Sequence, residues 1–186
     1  MGLNIILLLL FLGVSALYLP LNRRKSRYYW ASRYDRHIPL IPVFVLPYVS
    51  FFPYIAFTVI ALWNTQYETS LLITLIVAKS TAMVFWYIFP NGVARPQITA
   101  DTWLHRLLGK IYRHDKDTNG FPSSHVFISL ICAYFLATAY PAYAPLVWII
   151  ASLIVFSTVF TKQHYVVDVF GGGVMAALAV FVLAFL

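Results

Sequence analysis

Six long apolar segments dominate this 186-residue sequence and restrict what it can fold into. Each is long enough, or nearly so, to cross a hydrocarbon core about 30 Å thick, which takes roughly 20 helical residues. The runs are continuous and lack the alternation of barrel strands, so we predict an all-α integral membrane bundle of six transmembrane helices. The segments lie at about 3–19, 40–63, 70–89, 125–140, 144–161 and 165–186.

The composition excludes several classes of protein. Hydrophobic residues make up 61% of the chain and charged residues 10%, whereas a soluble domain carries roughly 25% charged residues. A soluble enzyme, a disordered tail and a nucleic-acid-binding module are therefore excluded. The net charge of +7 instead predicts partners at a membrane, either lipid headgroups or an anionic substrate.

The cations lie on one side of the predicted bundle. With six spans, the polar segments 20–39 and 90–124 and the break at Lys162 share one face, and they carry twelve of the 13 Lys and Arg residues. The turns of the other face, near 64–69 and 141–144, carry none. The positive-inside rule places this basic face in the cytoplasm. The competing interpretation is that some of these cations bind phosphate and therefore report poorly on topology.

Two polar clusters on the basic face carry residue types that suit phosphate chemistry. In the first, Arg95 follows a proline and glycine that end the third apolar segment, and a guanidinium there suits phosphate oxygens. In the second, Ser123 or Ser124 can cap the next helix, whose free N–H groups can hold an anion beside His125. Each cluster alone also fits a structural role, as a topology-setting arginine or as a capping serine pair beside an interfacial histidine.

His164 and Asp168 form a third cluster at the start of the last apolar segment. Four residues apart on a helix, they share one face, so the carboxylate can bond one ring nitrogen and leave the other free to attack. A carboxylate inside an apolar helix is costly and usually has a function, although a purely structural His–Asp pair is the alternative.

Together the three clusters can perform phosphoryl transfer without a metal. One histidine would attack, the other would protonate the leaving oxygen, and cations and backbone N–H groups would stabilise the phosphoryl oxygens. We therefore predict no metal and no cofactor. Asp101, Asp115 and Asp117 are interpreted as solvated charges of a basic loop and not as metal ligands.

The order of these residues resembles the signature of the type 2 phosphatidic acid phosphatase (PAP2) superfamily, whose core also has six transmembrane helices. The motifs that carry the resemblance are Arg95-Pro96, Pro122-Ser123-x-His125 and His164-x-x-x-Asp168. Two further elements resemble the branch that includes inositol phosphorylceramide synthases and related bacterial membrane phosphatases. These elements are Asp35-x-x-Ile38-Pro39 and Thr161-x-x-His164-Tyr165-x-x-Asp168.

The resemblance implies a role for each matching residue. His164 would be the nucleophile that forms a phosphohistidine, Asp168 the carboxylate that orients it, and His125 the general acid. The ligands of the substrate phosphate would be Arg95, Ser123 and Ser124.

Two cations of the family pattern are missing. Ile88 stands where the family has a lysine, and Ser157-Thr158 stands where it has Ser-Arg. Lys162 is the nearest replacement as a phosphate ligand. Lys79 would lie about 16 Å of helix from the loop, which makes contact with the site difficult.

The expected function is that of a metal-independent phosphatase acting on a phosphomonoester or diphosphate of a membrane lipid. One alternative is a phosphotransferase of the inositol phosphorylceramide or sphingomyelin synthase type, and another is a catalytically silent membrane scaffold or transporter. Very short turns on the opposite face leave little room for an acceptor site, which favours the phosphatase. The partners would be a lipid phosphate and the bilayer, with no nucleic acid.

We expect residues 1–186 to form one membrane domain. Within it, 1–33 would supply an N-terminal transmembrane anchor and a basic loop, and about 34–173 would form the catalytic core. The oligomeric state stays open. The expected location is the cytoplasmic (plasma) membrane, as a multi-pass protein. The charge rule predicts a cytoplasmic site, whereas the family resemblance implies an outer or lumenal one.

Overall fold

The structure is a computed structural model that describes residues 2–183. Within that range the chain forms α-helices, three short 3₁₀ helices and irregular loops, without a β-strand. Met1 and residues 184–186, which end the sixth predicted span, lie outside it. The α-helices are α1 (Gly2–Ala16), α2 (Tyr18–Asn22), α3 (Val45–Val49), α4 (Phe51–Leu62), α5 (Glu68–Ile88), α6 (Trp103–His114), α7 (Ser124–Ala139), α8 (Ala144–Phe160) and α9 (Val166–Leu183).

Helix lengths agree with a membrane bundle. In the described range, four helical stretches are long and apolar enough to cross a membrane, and they match the first, second, third and fifth predicted spans. Two further apolar helices are shorter and match the fourth and sixth. The all-helical class is therefore confirmed, and six complete spans stay a prediction. The four long stretches are Gly2–Asn22, Pro42–Leu62, Glu68–Ile88 and Pro141–Phe160; the shorter helices are Ser124–Ala139 and Val166–Val182.

Helix α7 lies at the centre of the bundle. It packs against α4, α5, α8 and α9, and most of its residues are buried, among them Phe127, Ile131 and Leu136. A helix that is apolar on all sides is expected in such a central position. Because the second polar cluster begins α7, this packing brings His125 into the interior of the bundle.

The basic polar segments meet at one end of the bundle, as predicted. The backbone N–H of Arg27 donates to the carbonyl of Pro90 at 2.7 Å, and that of Ile41 donates to the carbonyl of Phe160 at 2.9 Å. Segments that are far apart in sequence are thereby joined over the start of α7. At the opposite end, the Tyr140 hydroxyl donates to a carbonyl in α4 at 2.7 Å.

Two glycines allow α9 to pack closely against the start of α7. A Cβ added at Gly171 would collide with the ring of Phe121. One added at Gly172 would lie 2.7 Å from Cβ of Val126 and 2.9 Å from the carbonyl oxygen of Ser123. The absence of a side chain at these two positions therefore permits the close approach of α9.

We expect Gly172→Ala to lower the melting temperature of the detergent-solubilised protein, measured by intrinsic fluorescence. The added methyl group would press on the backbone of Ser123, and overpacking of this kind costs about 1–3 kcal/mol. Gly173→Ala is the matched control, because no atom lies within 4 Å of its added Cβ. Equal melting temperatures for the two variants would contradict the close packing of α9 on α7.

Candidate active site

The third polar cluster places a histidine against a buried carboxylate. Nδ1 of His164 lies 3.5 Å from Oδ2 of Asp168, and the two side chains are 8% and 2% exposed. The same oxygen accepts a hydrogen bond from the backbone N–H of Tyr165 at 2.8 Å, which holds the carboxylate at the start of α9. The His164 ring lines a cavity of about 350 Å³. The pair is therefore close enough for the carboxylate to orient the imidazole.

His125 lies in the first turn of α7 and is held between aromatic rings. Its ring centroid is 4.3 Å from that of Tyr48, in a stacked arrangement, and 4.1 Å from that of Phe51. The centroids of His125 and His164 are 6.1 Å apart. Nε2 of His125 is buried and has no hydrogen-bond partner among the described residues. The fold thus brings the two histidines together and leaves a nitrogen of His125 available.

Ser123 occupies the N-cap position of α7, but its side chain makes no capping hydrogen bond. The predicted cap is therefore wrong for this serine, whose Oγ is buried without a partner in the described structure. Its backbone N–H donates to the carbonyl of Asp168 at 3.1 Å, which ties the second cluster to the third. Ser124 follows as the first residue of the helix and is also buried.

Arg95 lines the same cavity, but protein acceptors already engage most of its guanidinium. It donates to the carbonyl of Lys116 at 2.8 Å, to the carbonyl of Asp115 and to Oε1 of Gln163. It also lies over the ring of Tyr112, 4.9 Å from the centroid. Nε is buried and, within the described range, unpartnered, so it is the atom of Arg95 that a ligand could still use.

Lys162 also lines the cavity, and carbonyl groups hold its ammonium. Nζ donates to the carbonyls of Asp35, at 3.0 Å, and Ile38. The backbone of Lys162 has a φ of 54°, which places it in the left-handed region at the break between α8 and α9. Partial burial lowers the pKa of the ammonium, an effect that the Asp35 carboxylate opposes. The predicted replacement phosphate ligand thus also anchors the 35–38 segment.

Asp35 belongs to the Asp35-x-x-Ile38-Pro39 element, but the sequence alone predicted no role for its carboxylate. Its Oδ1 accepts a hydrogen bond from the backbone N–H of Val166 at 2.8 Å, and its Oδ2 accepts two from Ser32, both at 2.6 Å. A carboxylate at a helix N-terminus satisfies a free N–H group and complements the helix dipole. Asp35 therefore caps α9 and, with Lys162, clamps the preceding loop beside His164.

Asp115 is not a solvated loop charge, which corrects the interpretation from sequence. Its Oδ1 accepts hydrogen bonds from the Tyr18 hydroxyl at 2.6 Å and from Nδ2 of Asn22 at 2.9 Å. Its Oδ2 lies 3.8 Å from Nη2 of Arg95. The carboxylate therefore joins α2 to the loop that holds Arg95. Asp101, in contrast, is solvent-exposed as predicted.

Lys79 faces the interior of the bundle and does not line the cavity beside His164. Its Nζ lies 5.2 Å from the ring centroid of Tyr18 and 5.0 Å from that of Trp86. This position agrees with the expectation that Lys79 is too far along α5 to contact a phosphate at His164.

A family model of the PAP2 superfamily matches residues 65–186, which is more than half of the chain. The matched range contains helices α5 to α9 and the clustered residues Arg95, His125, His164 and Asp168. No curated protein and no solved structure matches the chain. On the strength of the family match, this chain belongs to the PAP2 superfamily.

Proposed function

We propose that the protein is a metal-independent lipid-phosphate phosphatase that works through a phosphohistidine. The observation that carries the proposal is the pairing of His164 with the buried Asp168 at the wall of a cavity, with His125 nearby. Membership of the PAP2 superfamily supports an activity of the phosphatase or phosphotransferase type. The apolar helices around the site favour a substrate that is itself a membrane lipid.

In the first step, Nε2 of His164 attacks the phosphorus atom and the bond to the lipid oxygen breaks. Asp168, whose Oδ2 lies 3.5 Å from Nδ1 on the other side of the ring, stabilises the positive charge that develops there. His125 gives a proton from Nε2 to the leaving oxygen. In the second step, water attacks the phosphohistidine and passes a proton back to His125, which releases phosphate and restores both histidines.

Donors around the site would stabilise the phosphoryl oxygens during both steps. The Ser123 hydroxyl and Nε of Arg95 are buried and, in the described structure, lack partners. A buried donor left unsatisfied costs about 1–3 kcal/mol, so a bound phosphoryl group would relieve that cost. Free N–H groups at the start of α7, including that of Ser124, supply further donors. Lys162, already bonded to carbonyls, would act through its charge.

The competing function is transfer of the phosphorylated group to a lipid or polyol hydroxyl. In that case the protein would be a phosphotransferase of the inositol phosphorylceramide synthase type. The size of the cavity favours hydrolysis. Its volume of about 350 Å³ is near the lower end of the roughly 300–1,000 Å³ typical of ligand sites. A phosphorylated headgroup and a water fit in such a space more readily than a headgroup and a second lipid.

We also propose that the site faces the cytoplasm. Three of the twelve cations on the basic face line the cavity, so phosphate binding there still leaves nine against none on the opposite face. The positive-inside rule therefore gives the same orientation after the cations of the site are set aside.

We expect the purified protein to release phosphate from a lipid phosphate in excess EDTA, because histidines and cations perform the chemistry. The panel would contain phosphatidic acid, phosphatidylglycerol phosphate and a polyprenyl diphosphate. His164→Ala should reduce release below detection while the protein stays folded. Release that EDTA abolishes, or that persists in His164→Ala, would contradict the phosphohistidine mechanism.

Asp168→Asn should lower kcat by about 10³-fold or more, because an amide can neither favour the reactive tautomer of His164 nor stabilise the imidazolium. Initial rates on the preferred lipid provide the measurement. Asp101→Asn is the control, since that carboxylate is 82% exposed and does not line the cavity beside His164. Full activity of Asp168→Asn would show that His164 is not oriented by this carboxylate.

Single cysteines at Gln66 and Thr99 test the orientation, because both positions are exposed and lie at opposite ends of the bundle. The background is Cys132→Ser, which removes the single native cysteine. In intact cells, an impermeant maleimide should label Gln66→Cys and should label Thr99→Cys only after permeabilisation. The reverse pattern would place the site on the outer or lumenal side.

A further inference from the structure

Three cations line the cavity beside His164, and they differ in what they are free to bind. Backbone carbonyls hold the ammonium of Lys162, and carbonyls with Gln163 hold most of the Arg95 guanidinium. The third cation is Arg36. Within the part of the chain that the structure describes, its guanidinium makes no hydrogen bond, ion pair or ring contact. Arg36 is also exposed to solvent, so an incoming ligand can reach it.

The backbone that carries Arg36 is firmly held although its side chain is free. Arg36 ends the short 3₁₀ helix Tyr34–Arg36. On one side, Asp35 is buried and caps α9; on the other, the carbonyl of Ile38 accepts a hydrogen bond from Lys162. These contacts fix the start of the arginine side chain at the cavity, so binding an anion would order only the side chain itself.

No carboxylate is available within the cavity to neutralise Arg36. The acidic residue of the lining is Asp35, and hydrogen bonds from Ser32 and Val166 engage both of its oxygens. Of the other two lining cations, Arg95 lies 3.8 Å from the Asp115 carboxylate, and Lys162 is held by the carbonyls of Asp35 and Ile38. Arg36 therefore contributes a positive charge that no nearby carboxylate in the described structure compensates, and this charge attracts an anion.

We propose that Arg36 binds the anionic group of the substrate at the mouth of this cavity. The proposal rests on the phosphatase function proposed above and adds to it a ligand for the phosphate of the substrate. The planar guanidinium suits terminal phosphate oxygens, which it can bind through two N–H groups at once.

Arg33 provides a matched control in the same loop. It is exposed like Arg36, but its guanidinium donates to the Tyr34 hydroxyl at 2.9 Å and lies 5.0 Å from that ring centroid. It does not line the cavity beside His164. A change in overall basic charge would affect Arg33→Gln and Arg36→Gln alike, whereas the loss of a substrate ligand would affect Arg36→Gln alone.

The first measurement compares the kinetics of phosphate release by the wild-type protein, Arg36→Gln, Arg36→Lys and Arg33→Gln in detergent micelles. Arg36→Gln should raise KM about tenfold with little change in kcat, as expected when a charged hydrogen bond to the substrate is lost. Arg36→Lys should recover part of the effect because the charge is kept. Arg33→Gln should behave like the wild-type protein. A KM in Arg36→Gln equal to that in Arg33→Gln would overturn the proposal.

The second measurement is independent of turnover and titrates inorganic phosphate and pyrophosphate into His164→Ala by calorimetry. In the His164→Ala background, Arg36→Gln should raise the Kd of the preferred anion by about tenfold. Arg33→Gln in the same background should leave that Kd unchanged. A larger shift for phosphate indicates a monoester substrate, and a larger shift for pyrophosphate indicates a diphosphate. Equal Kd values in the two double variants would overturn the role of Arg36.

The two measurements separate the failure of each proposal. If the wild-type protein releases no phosphate but its anion binding depends on Arg36, the phosphatase function fails and the anion site stands. If it releases phosphate and Arg36→Gln changes neither KM nor Kd, the function stands and the role of Arg36 fails. Equal melting temperatures of the arginine variants would show that these differences do not come from unfolding.

Discussion

The buried carboxylate of Asp168 is the group on which the arrangement of the site depends. A carboxylate in an apolar bundle persists only where hydrogen bonds and charge partners compensate its lost hydration. Here those partners are Nδ1 of His164 and the backbone N–H of Tyr165, while the Asp168 carbonyl accepts the N–H of Ser123. The carboxylate thus fixes His164 at the start of α9, the backbone carbonyl of Asp168 joins this segment to the start of α7, and Gly172 gives the two helices the space to meet.

Cations around the cavity serve two different purposes. Arg95 and Lys162 hold irregular backbone in place, because carbonyls in loops have no helical partner and a charged donor satisfies them strongly. Arg36 makes no comparable contacts in the described structure, and its guanidinium is available to a ligand. The distinction matters for function, since a basic residue can form hydrogen bonds to a bound anion only with the donors that the fold leaves unused.

Local patterns account for the features that could be predicted. Continuous apolar runs indicated the helices. The proximity of His164 and Asp168 was expected from a shared helix face, but α9 begins at Val166, so His164 contacts Asp168 from the bend that precedes the helix. Predictions about isolated polar groups succeeded less often. The N-cap hydrogen bond of Ser123 does not form, and Asp115 is bonded to Tyr18 and Asn22 instead of being solvated. The Asp115 contacts join segments more than 90 residues apart in sequence, which no local pattern specifies.

The sequence by itself determined the helical class, the separation of basic and neutral ends, and the set of candidate residues for phosphoryl transfer. Each follows from composition or from short spacings, which act through solvation and helix geometry. Tertiary structure alone decided which cations are bonded to protein groups, which hydrogen-bond donors have no partner and where the cavity opens. Hydrogen bonds between distant segments decide these points: Asp35 caps α9 across 131 residues of sequence, and that contact holds Arg36 beside His164.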